Sequence, residues 1–221
     1  MDQARFTAPD FGAAVREPGN KWAFWYFKPA PIPRELSLAP ATIKALSDAD
    51  AALGRLYGLG VLIRNPELLL GPYLAQEAIA SSRIEGTQTS LSEVLRAEAS
   101  GGRTTSEDGA EVERYLASTR RGYELIETLL ITQRLLLELH SILLSGVRGQ
   151  EKSPGQFRGS PVWLGSPTDN PDTAAYVPPL PDDLPDLLAD WERFVNTPGQ
   201  VPSLVRCGLM HYQFETIHPF L

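Results

Sequence analysis

Apolar residues recur at helical spacing over most of this chain. From Pro40 to about residue 58, Ile43, Leu46, Leu53 and Leu56 keep a helix-compatible rhythm. A second stretch, about 66–84, does so through Leu69, Tyr73, Leu74 and Ala78, and Gly86 follows where a terminating glycine is expected. Ser90-Leu-Ser-Glu93 has the form of a capping box opening a short helix to about Ala99. After the polar, glycine-rich break at 100–106, Val112, Tyr115, Leu116, Tyr123 and Ile126 mark a long helix with a charged opposite face. Further helices are predicted over about 132–145, 182–195 and 202–217.

Two regions break the rhythm. Residues 1–40 carry Trp22, Phe24, Trp25, Tyr26 and Phe27 and then meet Pro29, Pro31 and Pro33. Proline removes a donor and biases its predecessor to extended conformations. An extended arm pinned to the body by its aromatics is the expectation, with a peptide-binding or membrane-surface role as the alternative. Between 157 and 180, Phe157, Val162, Trp163, Tyr176 and Val177 flank the turn residues Gly165-Ser-Pro-Thr-Asp-Asn-Pro171, the pattern of a hairpin. The fold class expected is all-α, mostly helical, with one small β-hairpin.

The last helix is apolar nearly all round, through Leu204, Val205, Leu209, Met210, Phe214 and Ile217, which predicts a central, buried helix. Cys207 is expected to be buried with it as a small hydrophobe. His211, Glu215 and His218 nevertheless share one face at i, i+4 and i+7, and Pro219 ends the helix just after His218. A histidine entering a loop from a rigid helix end can serve as a general base, and can equally be a structural residue with a hydrogen-bond partner. The triplet does not have the His-Glu-x-x-His arrangement of zinc hydrolases, so a metal on it is not expected.

Two further segments stand out. Ser81-Ser-Arg-Ile-Glu85-Gly86-Thr87 ends the second helix. Pro154-Gly-Gln-Phe157-Arg158 precedes Val162-Trp-Leu-Gly165 and the rigid exit Tyr176-Val-Pro-Pro179. Each segment alone reads as a polar helix end or a surface hairpin.

Together the three segments resemble the Fic family. Phe214-Glu-x-Ile-His218-Pro-Phe-Leu221 is similar to the start of its signature, His-Pro-Phe-x-[Asp/Glu]-Gly-Asn-[Gly/Lys]-Arg. Ser81-x-x-x-Glu85-Gly86 resembles the inhibitory-helix motif [Ser/Thr]-x-x-x-Glu-[Gly/Asn], placed N-terminal to the signature as in one class of the family. Leu139-His140 followed by Pro154-Gly-x-Phe157-Arg158 also fits the family pattern.

The resemblance implies transfer of AMP from ATP, with Mg²⁺, to a Tyr, Thr or Ser hydroxyl of a target protein. His218 would be the base. Ser81, Glu85 and Gly86 would form the inhibitory element, with Glu85 pairing with the signature arginine. Val162, Trp163, Leu164, Gly165, Tyr176 and Val177 would form a flap that aligns the target's backbone. It also implies an N-terminal segment over 1–100 with the arm and inhibitory helix, and a catalytic core over 101–221. The signature's carboxylate, Gly-Asn-Gly-Arg loop and following helix are not among these 221 residues. No metal ligand is therefore expected within the chain, and the chain as it stands is expected not to transfer efficiently. A catalytically silent interaction module is the alternative.

Composition changes this picture little. With 20 basic and 27 acidic residues the formal charge is −7, without the basic excess that marks a nucleic-acid surface. One cysteine excludes an intramolecular disulfide and fits a reducing compartment. The N-terminal residues lack the basic start and apolar run of a signal peptide, and no apolar run approaches the ~20 residues that span a bilayer. A soluble, cytoplasmic protein is expected, whose partners are ATP and a target protein, with self-association into a homo-oligomer compatible.

Overall fold

The computed structural model describes residues 1–16, 23–65, 67–84, 86–101, 104 and 106–221. Seven α-helices and one two-stranded ribbon are formed among the described residues. The ribbon pairs β1 (Gly12–Val15) with β2 (Tyr26–Pro29). The helices are α1 (Pro40–Gly60), α2 (Glu67–Ile84), α3 (Leu91–Ser100), α4 (Glu107–Ile126), α5 (Gln133–Leu143), α6 (Leu184–Asn196) and α7 (Ser203–Ile217). The mostly helical class read from the sequence is the class observed. Contacts group the residues into two compact units, one made of 1–37 and 157–221, the other of 38–156. The functional division placed near residue 100 stands as a proposal.

In the unit of residues 38–156, α2, α3 and α4 close on a small core of Ala75, Ala78, Ile79, Val94, Val112 and Leu116. Alanines on α2 leave room for the β-branched residues opposite, and each buried Val or Leu contributes about 1.5–3 kcal/mol. α5 lies along α4, where the Ser118 hydroxyl donates to the carbonyl of Leu139 at 3.0 Å. The capping box is half made. Ser90 accepts the amide of Glu93 at 3.2 Å, but the Glu93 carboxylate turns to the hydroxyls of Thr89 and Ser106. Ser106 is the N-cap of α4 and accepts the amide of Gly109, so one carboxylate links the starts of two helices. Those hydroxyl donors hold the Glu93 pKa below its ordinary value.

α1 keeps its predicted bounds to within two residues, yet none of its residues is buried. Its apolar positions Ile43, Leu53 and Leu56 stay on the surface.

In the unit of residues 1–37 and 157–221, the arm does pack through its aromatics. Tyr26 and Phe27 join Met1, Ala174, Val177 and Leu180 in one core. Trp22 lies outside the described residues. β1 and β2 pair antiparallel with Gly12 opposite Pro29 and Val15 opposite Tyr26, a ribbon that the sequence reading had as a plain extended arm. The hairpin expected at 157–180 is present, closed by a single antiparallel pair, Leu164 with Tyr176. Side-chain hydrogen bonds of Asp169, Asn170 and Thr173 organise its tip in place of a longer ladder. α6 buries Leu184, Leu188, Trp191 and Phe194 along one stripe. No described helix is long and apolar enough to cross a membrane.

α7 corrects two expectations. Only Gln213 and Ile217 of this helix are buried, and Cys207 is exposed. Within this unit α7 packs against α6 and β2, which cover one side. Its other face, with Cys207, Gly208, His211 and Glu215, stays at the surface. All-round apolarity signals burial only where neighbours surround a helix.

Candidate functional site

His218 caps α7. Its backbone adopts φ 47°, ψ 63°, the left-handed region, while its amide donates to the Phe214 carbonyl at 3.0 Å. A non-glycine residue takes this conformation at a cost of about 1–2 kcal/mol, so the surroundings must impose it. Pro219 is fully buried behind it. Phe220 then packs its ring 5.4 Å from that of Phe157 and 6.3 Å from that of Phe214, whose ring lies 5.6 Å from Trp191. Thus His-Pro-Phe is gripped on both sides of the histidine.

A second grip comes from Arg158, only 3% exposed. Its Nε donates to the His218 carbonyl at 2.7 Å. Its Nη2 donates to the carbonyls of Pro179 at 2.6 Å and Ile217 at 3.2 Å, and its Nη1 to that of Ser160 at 3.3 Å. The Arg158 amide also donates to the Pro219 carbonyl at 2.9 Å. Burial lowers its pKa to about 10, which leaves it charged at neutral pH. Tyr176 adds a third hold, its hydroxyl donating to the Thr216 carbonyl at 2.7 Å. Burial pushes the Tyr176 phenol above its usual range, so it stays a donor.

Of the six expected flap residues, Leu164 and Tyr176 form the closing pair, and Val177 is buried with its carbonyl accepting the Phe27 amide at 2.8 Å. Val162 is half-buried. Trp163 and Leu164 are exposed, and the Trp163 indole donates to the Asp169 carbonyl at 2.9 Å. Gly165 lies so close to Asp169 that an added Cβ would sit 2.4 Å from its carboxylate oxygen. Tyr176 therefore belongs both to the hairpin and to the support of α7.

The expected inhibitory residues lie in the other unit. Ser81 sits on α2 and donates to Glu77 at 3.1 Å. Gly86 follows the helix at φ 92°, its amide bonding back to the Arg83 carbonyl. Glu85 lies outside the described residues. Thr87, named in the motif without a role, is buried and donates to Glu111 at 2.8 Å, and Glu111 also pairs with Arg148.

Sequence reasoning gave no role to Arg158 or Gln213. Gln213 is buried and donates to the Ala30 carbonyl at 3.1 Å, joining α7 to the end of the ribbon. The Pro-Gly-x-Phe-Arg pattern was the signal available for Arg158. Nothing in the periodicity singles out Gln213.

The described residues do not supply a Mg²⁺ site. Among the described residues no cluster of three or more His, Cys, Asp or Glu side chains could hold a metal, and the groups gathered around the His218 backbone are donors to carbonyl oxygens.

The Fic/DOC family N-terminal profile matches residues 43–124, and the Fic/DOC family profile matches residues 130–221. The chain belongs to the Fic/DOC family. Curated relatives include the protein adenylyltransferase Fic of Drosophila ananassae, 32% identical over 99 residues, and that of Drosophila mojavensis, 31% identical over 99 residues. Each match covers 44% of this chain and 18% of the relative, so the chain spans under a fifth of their length. Among solved structures, a Fic family protein from Desulfovibrio desulfuricans G20 superimposes with a TM-score of 0.60 at 24% identity, over 85% of this chain and 55% of that one. That likeness is one of fold.

Proposed function

We propose that this Fic-family chain carries the base-bearing part of a protein AMP transferase, with His218 as the general base. The observation that carries the reading is the left-handed His218, held by buried neighbours at the start of the His-Pro-Phe sequence in a chain of this family. In the reaction, the hydroxyl oxygen of a target Tyr, Thr or Ser bonds to the α-phosphorus of ATP. The bond from that phosphorus to the bridging oxygen breaks, pyrophosphate leaves, and the hydroxyl proton passes to the His218 imidazole. Adenylyltransferase relatives support ATP and a protein target as the partners.

The remaining roles follow from the same reading. The hairpin of Val162 to Gly165 and Tyr176 to Val177 would align the target's backbone. Glu85, supported by Ser81 and Gly86, would pair with the arginine of a complete signature and restrain transfer.

The test is labelling with α-³²P-ATP in a protein that carries the complete signature. Incorporation should vanish in His218→Ala and rise in Glu85→Gly. Incorporation that survives His218→Ala rejects the base assignment, and an unchanged Glu85→Gly rejects the lock. If the wild type neither labels a protein nor binds ATP, the silent interaction module becomes the better reading.

A further inference from the structure

We propose that Arg158 is a positioning residue that fixes the backbone on both sides of His218 and ties it to the exit of the hairpin. The inference rests on the reading of His218 as the base. A helix C-terminus leaves its last carbonyls without intrahelical partners. At the end of α7, four consecutive carbonyls accept from outside the helix. Thr216 is served by Tyr176, Ile217 and His218 by the Arg158 guanidinium, and Pro219 by the Arg158 amide. The same guanidinium holds the Pro179 and Ser160 carbonyls, so one rigid fork fixes the distance between the base and both ends of the hairpin segment.

The arrangement is specific to arginine. Its donors are fixed in a plane, whereas a lysine ammonium is one point with three donors on a flexible stem. Arg158 has no carboxylate partner among the described residues. Its charge faces carbonyl oxygens, the negative end of the α7 dipole included. A buried cation spent wholly on carbonyls around one left-handed residue defines the geometry of that residue, and misplacing a base by ~1 Å costs on the order of a hundredfold in rate.

The experiment compares wild type with Arg158→Lys and Arg158→Met by NMR on this chain. The one-bond Cα–Hα coupling of His218 reports the sign of its φ, and amide exchange reports local opening. In both variants the coupling is expected to shift toward negative φ, and the His218 and Phe220 amides to exchange at least ~10-fold faster, while Leu188 stays within about twofold. An unchanged coupling and exchange in Arg158→Met overturns the proposal. Should that variant not fold, Arg158→Lys is judged by the same criterion. In a protein with the complete signature, Arg158→Lys should lower kcat at least ~10-fold and leave the KM for ATP within about twofold. A kcat unchanged despite a moved His218 also overturns it. A wild type that transfers nothing defeats the base reading alone, because the NMR comparison still decides whether Arg158 holds the backbone.

Discussion

The amide of Gly155 donates to Nδ1 of His140 at 3.1 Å, which joins the Leu139-His140 and Pro154-Gly155 segments inside one unit. The bond requires Nδ1 to be an acceptor, so His140 is neutral with its proton on Nε2. Gly155 sits at φ 74°, and an added Cβ would lie 3.1 Å from Cβ of Ser141 and 3.3 Å from the Leu137 carbonyl. Gly155→Ala is therefore expected to cost about 1–3 kcal/mol, read as a lower urea midpoint at unchanged m-value. A variant as stable as wild type would refute this account of the turn.

The same pair gives a pH dependence. Burial lowers the His140 pKa from its ordinary value near 6.5. The unfolded chain therefore takes up this proton at a higher pH than the native one. Its contribution to stability is complete above about pH 6.5, falls as the pH drops from there to the lower native pKa, and changes no further below it. The slope of unfolding free energy against pH across this window should shrink in His140→Gln. An identical slope would show that another group is responsible.

At residue 218, the left-handed backbone predicts an inversion of the usual ranking. His218→Gly should be more stable than His218→Ala by ~1 kcal/mol, or about 2–4 °C in melting temperature, because only glycine adopts this conformation without a Cβ penalty. Equal melting temperatures would argue against the αL cap. Neither variant should label a target, so the comparison separates conformation from chemistry.

Because α1 buries nothing, its 21 residues lack the packing that stabilises most helices. Hydrogen exchange should find its amides the least protected of the seven helices, and those of α4, with Val112 and Leu116 in the core, well protected. Protection of α1 equal to that of α4 would show that its apolar face is covered.

Cys207 supplies a simple check on the packing of α7. An exposed thiol should react with Ellman's reagent in the folded protein, to one equivalent per chain, at a rate within about tenfold of the unfolded chain. Reaction only after denaturation would restore the buried reading.

The helices were legible because a 3.6-residue rhythm survives in each, and Pro40, Ser90 and Gly86 punctuate them. The β1–β2 ribbon was not, since two four-residue strands carry too few positions to show alternation. The hairpin was legible from β-prone runs around turn residues and His218 from the helix face that ends at Pro219, whereas their roles came from motif resemblance and stay proposals. Arg158 escaped because charged side chains are assigned to surfaces, and its burial depends on carbonyls that only the tertiary fold brings together. Cys207 was misplaced for the converse reason. Its neighbours are apolar, but the face it occupies has no cover from α6 or β2.

The unit that bears His218 is stitched from two stretches, 1–37 and 157–221, separated along the sequence by the continuous block 38–156. A ribosome delivers the chain N-terminus first. The inner block can thus collapse while Tyr26 and Phe27 still wait for Ala174, Val177 and Leu180. The first aromatics made are among the last to be buried, and until then they are surfaces on which a nascent chain could aggregate. Slow, late closure of this unit, with Trp25 fluorescence lagging behind helix formation, is the signature that such an order of assembly would leave in a refolding trace.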